Sequence, residues 1–144
     1  MSSTTVPSAA RDSRPSTPTW GRALQAGLIS GAVAAVAALA VFAVWSVATD
    51  RDYEQISAGS IVVATLVAVT IGALVYRVLA TRFARPVRAF VALAVFGIVV
   101  ETVMAAATAA AEDYDGGFLV LTTLLHLVVA GVAVALVPRL AARR

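Results

Sequence analysis

The chain has 144 residues, of which 60% are hydrophobic and 13% charged, with a formal net charge of +3. Its mean hydropathy is +0.91, whereas soluble domains carry about a quarter charged residues, so an ordinary soluble domain and a wholly disordered chain are both excluded. Cysteine and lysine are absent while alanine and valine supply 32 and 24 positions, which removes disulfide frameworks and thiolate metal sites and leaves a small polytopic membrane protein.

Residues 1–19, MSSTTVPSAARDSRPSTPT, are rich in Ser, Thr and Pro and hold almost nothing that forms a core. They read as a disordered cytoplasmic tail ahead of one four-helix domain over residues 20–144. A cleaved secretory signal fits poorly, because its apolar region is about 7 to 15 residues long and the run after Arg22 is longer. A bilayer core about 30 Å thick takes roughly 20 apolar residues in helix. Four stretches meet that length: about 23–48, 57–79, 87–111 and 118–137. Their Val-Ala-Leu runs are unbroken on both parities, which argues against the alternation of barrel strands. The predicted fold is all-α, an integral membrane four-helix bundle of two antiparallel hairpins.

Within helix one, Gly27 and Gly31 form a small-xxx-small pattern with Ala23 and Ala35, a surface for close helix packing inside the monomer or between copies. Pro86 suits the first turn of helix three, where its missing N–H is no loss. Asp115, ahead of Gly116 and Gly117, suits the N-cap of helix four. Pro138 is expected to end or kink that helix near Val137. Trp20, Tyr76 and Phe83 fall near one predicted membrane surface, and Trp45, Tyr53 and Tyr114 near the other.

Ten of the eleven arginines lie in the tail, in the loop between helices two and three, or at the C-terminus. Six of the eight acids lie on the opposite side with Arg51. The positive-inside rule then places both termini in the cytoplasm. Arg77, Arg82, Arg85 and Arg88 flank the spans and face lipid headgroups; with no separate basic domain, they do not suggest nucleic-acid binding.

Two ionisable residues sit well inside predicted spans: Glu101 in helix three and His126 in helix four. Glu101 lies 13 residues before Tyr114 and His126 lies 12 after it. At about 1.5 Å per residue both reach nearly the same depth, roughly 18 to 20 Å from the turn. Contact between them is therefore within reach: Glu101 accepts from a protonated imidazole or, protonated itself, donates to the neutral ring. Thr108, Thr122 and Thr123 are candidate polar neighbours. The pair reads either as a proton-relay or ligand site or as an interhelical hydrogen bond that fixes packing. The acidic outer loops hold Asp50, Asp52, Glu54, Glu112, Asp113 and Asp115 without a calcium-loop spacing, and read as solvated charge rather than a metal site.

His126 is the only histidine, so bis-histidine haem and zinc-hydrolase motifs have no ligands, and no cofactor is expected. No phosphate loop, Ser-His-Asp set or thiol redox pair occurs. A faint internal echo relates Ala73-Leu74-Val75-Tyr76-Arg77 to Ala135-Leu136-Val137-Pro138-Arg139 at an offset of 62 residues. The same offset superposes Asp50 on Glu112.

The segments GALVYRVLATRFARPVRAFVALAVFG, Gly72 to Gly97, and LTTLLHLVVAGVAVALVPRLA, Leu121 to Ala141, resemble a family of small four-helix integral membrane proteins of actinobacteria. That family has an Arg-rich loop with a Pro leading into helix three and a His in helix four, which falls on His126 here. The resemblance implies a plasma-membrane location and a high-GC bacterial source, and it supplies no activity. The expected role is a non-enzymatic structural or partner-binding membrane component, with lipids and either a protein partner or a second copy as its contacts. The alternative is a small transporter or proton-coupled subunit using Glu101 and His126.

Overall fold

The computed structural model describes residues 17–51, 53 and 56–142; the candidate tail up to residue 16, Asp52, Glu54, Gln55 and the two terminal arginines lie outside the described residues. The described residues form four helices, α1 (Trp20–Thr49), α2 (Ala58–Arg82), α3 (Pro86–Ala111) and α4 (Gly116–Ala142), and contain no strand. All four are long and apolar enough to cross a membrane.

The helix ends follow local chemistry. Thr19 caps α1, its hydroxyl accepting from the Arg22 N–H at 3.3 Å, so the helix starts ahead of the apolar run. Ser57 and Ser60 form a reciprocal capping box at α2 that satisfies two amides no helix carbonyl reaches. Pro86 occupies the first turn of α3. At the other end of α3, Asp113 takes a left-handed φ of 55°, and the Tyr114 N–H reaches back to the Ala109 carbonyl at 2.9 Å, which is the Schellman closure. Pro138 does not end α4: the helix continues through it to Ala142. Val137, Pro138 and Ala141 are buried together, so packing around the ring offsets the hydrogen bond that proline cannot donate.

The packing places small residues inside and large ones outside. The buried face of α1 repeats at helical spacing through Ala23, Gly27, Ser30, Gly31, Ala34 and Ala38. A Cβ on Gly27 would stand 2.8 Å from the Thr70 Cα, and one on Gly31 would stand 3.3 Å from the Leu66 Cα. The two glycines thus let the backbones of α1 and α2 approach within one molecule. Meanwhile Val36, Val44, Val47, Val63, Phe96 and Val103 are exposed. In water so large an apolar surface is an aggregation liability, whereas hydrocarbon solvates it.

Each end of the bundle has its own aromatic cluster. At one end the Arg77 guanidinium lies 3.7 Å over the Trp20 ring, and Tyr76 meets Phe90 edge-on at 5.4 Å. At the other end Tyr114 stacks on Phe118 at 4.7 Å, and Tyr53 meets the same ring edge-on at 5.4 Å. Arg82, Arg85 and Arg88 are exposed, while Arg77 is half-buried against Trp20.

Candidate functional site

Glu101 and His126 come together near the middle of α3 and α4. His126 Nε2 lies 3.5 Å from Glu101 Oε2, and His126 Nδ1 lies 2.8 Å from the carbonyl oxygen of Thr122 one turn earlier. A carbonyl only accepts, so Nδ1 carries a hydrogen and Nε2 is the position that changes with protonation. If Nε2 and the carboxylate both lacked a proton, a lone pair would face an anion. With one proton between them the pair is electroneutral, either as imidazolium and carboxylate or as imidazole and carboxylic acid. Thr122 contributes again through its hydroxyl, which donates to the Phe118 carbonyl at 2.8 Å.

The pair stands in the wall of a cavity of about 460 Å³. Helix α2 supplies Ser60, Ile61, Ala64, Thr65 and Ala68, α1 supplies Ala38, and α4 supplies Thr122, Leu125 and Val129 beside His126. Thr108 and Thr123 do not line it. Its origin lies in how α2 and α3 meet. Phe90 packs against Tyr76 and beside Gly72, closing the junction at the Arg-rich end, and the cavity lies toward the other end. The Glu101 side chain keeps 56% of its surface outside the bundle and His126 keeps 36%, so the pair is reachable from that side. Among the described residues, Glu101 and His126 are the only titratable groups on the cavity wall.

A second polar cluster closes the acidic end. Arg51 forms an ion pair with Asp115, and the Tyr53 hydroxyl donates to Asp115 Oδ1 at 2.7 Å. The same oxygen accepts from the N–H groups of Gly117 and Phe118 at 2.9 and 3.3 Å, which caps α4. The Tyr53 hydrogen bond holds the Asp115 carboxyl below the usual carboxylate range; the Arg51 charge and the two amides add to this against some desolvation. Burial, then the Asp115 contact, pushes the Tyr53 hydroxyl above its ordinary value. Among the described residues no three ligand-type side chains converge on a metal position.

Sequence reasoning overlooked Ser60 and Thr65 as wall residues and Arg51 as the partner of Asp115. The signals were present: Thr65 interrupts the second apolar stretch, and Arg51 is the single arginine on the acidic side.

Small residues at the helix contacts, large aliphatics outside and four helices of spanning length define the class, a multi-pass membrane protein built as a four-helix bundle. No protein-family profile, curated protein or solved structure matches the chain.

Proposed function

We propose that the protein is a plasma-membrane component of two antiparallel helical hairpins with both termini in the cytoplasm, and that it binds a small ligand at the Glu101–His126 cleft with a proton coupled to binding. The observation that carries this reading is a cavity of small-ligand size on whose wall, among the described residues, the titratable groups are an acid and a base 3.5 Å apart. Pockets of roughly 300 to 1,000 Å³ lined by apolar groups with a few polar ones suit small molecules. The resemblance to small four-helix membrane proteins of actinobacteria is part of the same proposal.

Accessibility of the cleft tests it. His126 is the only histidine, so the carbethoxyhistidine formed by diethyl pyrocarbonate reads out that ring alone. In protein reconstituted into bilayers, His126 is expected to react, and faster in Glu101→Ala, where Nε2 is freed. A ring that stays unmodified in folded protein reduces the pair to a packing contact and overturns the reading.

A second reading has its own observation. Helix α3 buries only Phe90 and Ala105, and exposes Val91, Val95, Phe96, Val99 and Val103. A non-enzymatic structural or partner-binding component would cover that face with a partner helix or a second copy. Native mass spectrometry from mild detergent separates the readings, since the second requires a stoichiometric partner.

A further inference from the structure

We infer that the cleft takes a lipophilic organic cation with a small apolar body, and that the cation enters in exchange for the proton shared by Glu101 and His126. This rests on the ligand-binding reading above and adds the ligand's chemistry. Charge sets the sign. Among the described residues no arginine lines the cavity and the chain has no lysine, so Glu101 and the His126 ring that faces it are the chargeable groups of the wall. An anion would find there only the His126 ring, which already faces the Glu101 side chain at 3.5 Å.

Neutral polyols are poorly served as well. The Ser60 hydroxyl already donates to the Ser57 carbonyl at 2.8 Å, and the Thr122 hydroxyl to the Phe118 carbonyl at 2.8 Å. Apart from the Thr65 hydroxyl, the rest of the wall is apolar: Ile61, Ala64 and Ala68 from α2, and the Phe118 ring, Leu125 and Val129 from α4. An apolar body with one positive centre matches that distribution, the body against α2 and α4 and the charge at Glu101.

Exchange follows from the Thr122 carbonyl. It keeps a hydrogen on Nδ1, so His126 alters its charge only at Nε2. With one proton between them, the empty pair has no net charge. When a cation pairs with the Glu101 carboxylate, a retained imidazolium would leave one net positive charge in an apolar setting, which is costly. The ring therefore releases the Nε2 proton to water: the neutral protonated pair plus a cation becomes carboxylate, bound cation and neutral imidazole plus a free proton. Among the described residues no other titratable group faces the pair from the cavity wall: α1 contributes Ala38, α2 contributes Ser60, Ile61, Ala64, Thr65 and Ala68 with Ile56 ahead of it, and α4 adds Phe118, Thr122, Leu125 and Val129.

The test uses the full chain in neutral detergent, with benzyltrimethylammonium as the cation and neopentylbenzene as its uncharged isostere. Titration calorimetry near neutral pH, in two buffers of different ionisation enthalpy, counts protons. The expected result is release of about one proton per cation bound, with affinity falling as the pH is lowered. Glu101→Gln is expected to weaken binding at least about tenfold, as loss of a charged contact does. Glu101→Asp, which keeps the carboxylate, restores part of the affinity and the proton release if Glu101→Gln fails to fold. Equal binding of neopentylbenzene, or cation binding without proton release, overturns the inference. Absence of cation binding while His126 still reacts with diethyl pyrocarbonate overturns it too and leaves the cleft reading standing; an unreactive His126 removes both.

Discussion

The hydrogen held on His126 Nδ1 by the Thr122 carbonyl confines any change of charge on the ring to Nε2, and it gives a direct spectroscopic expectation. With a single imidazole in the chain, ¹⁵N shifts of labelled protein should report the Nδ1–H tautomer whenever the ring is neutral. An Nε2–H tautomer would contradict the observed partner. The contact also has an energetic signature: replacing both Glu101 and His126 with leucine should leave the bundle folded, because apolar side chains substitute well for a buried polar pair. His126→Leu alone strands the acid and should cost about 1–2 kcal/mol more than the double variant in SDS-driven unfolding from mixed micelles. Counting residues to the turn near Tyr114 was enough to put Glu101 and His126 at one depth, and the 3.5 Å contact agrees with it. The Thr122 carbonyl and the α2 wall were not legible, because they depend on a rotamer and on contacts between distant segments. At the acidic end, the stabilised Asp115 carboxylate contributes in the opposite direction to an acid raised by burial. Its contribution is present above the ordinary carboxylate range and lost as pH falls through its lowered folded value, while the raised Tyr53 loses its hydrogen bond only at alkaline pH. The loop contact should therefore persist across neutral pH and open in acid, and Tyr53→Phe should move that opening upward in pH; near-UV circular dichroism of the Tyr53–Tyr114–Phe118 cluster follows it.

At the scale of helices, the glycines distinguish close packing from mere composition. Gly27 sits where an added Cβ meets backbone, the Thr70 Cα at 2.8 Å, whereas Gly131 has nothing within 4 Å. Gly27→Ala must push α1 from α2 and should cost about 1–3 kcal/mol, as overpacking does. Gly131→Ala fills open space in a helix interior and should gain about 0.5–1 kcal/mol. Unfolding of the two variants in micelles compares them directly, and equal effects would mean that the α1–α2 contact does not depend on the missing side chain. The stripe from Ala23 to Ala35 was visible as a pattern; which surface it met was not, because in a chain with 32 alanines such patterns are frequent. Boundaries show the same division. The apolar windows located all four helices, yet α1 and α4 run past them, through Trp20–Arg22 and through Pro138 to Ala142. Caps and packing, not hydropathy, set those ends: Thr19 supplies the cap at one, and the buried surroundings of Pro138 hold the other.

For the whole molecule, the distribution of charge and the two aromatic clusters give the bundle a direction. The Arg-rich end carries Arg82, Arg85 and Arg88, exposed beside the Trp20–Arg77 stack, and the acidic end carries Asp50, Glu112, Asp113 and the Asp115 cluster. The Tyr53–Asp115 hydrogen bond joins positions 62 residues apart, the offset at which the two halves of the chain echo each other. Duplicated hairpins set side by side would bring equivalent outer loops together in this way, and would leave both arginine-bearing ends on the other face. Because arginine next to a span is retained on the cytoplasmic side, the Arg-rich end should face the cytoplasm. The native chain has no cysteine, so single-cysteine labelling reports each end without background. On intact cells, a membrane-impermeant maleimide should label Glu112→Cys, while Ala84→Cys, in the loop between α2 and α3, should label only after permeabilisation. The reverse pattern would invert the bundle and place the acidic cluster inside the cell. Labelling of both sites on intact cells would mean that the two loops share one side, which four spanning helices do not allow.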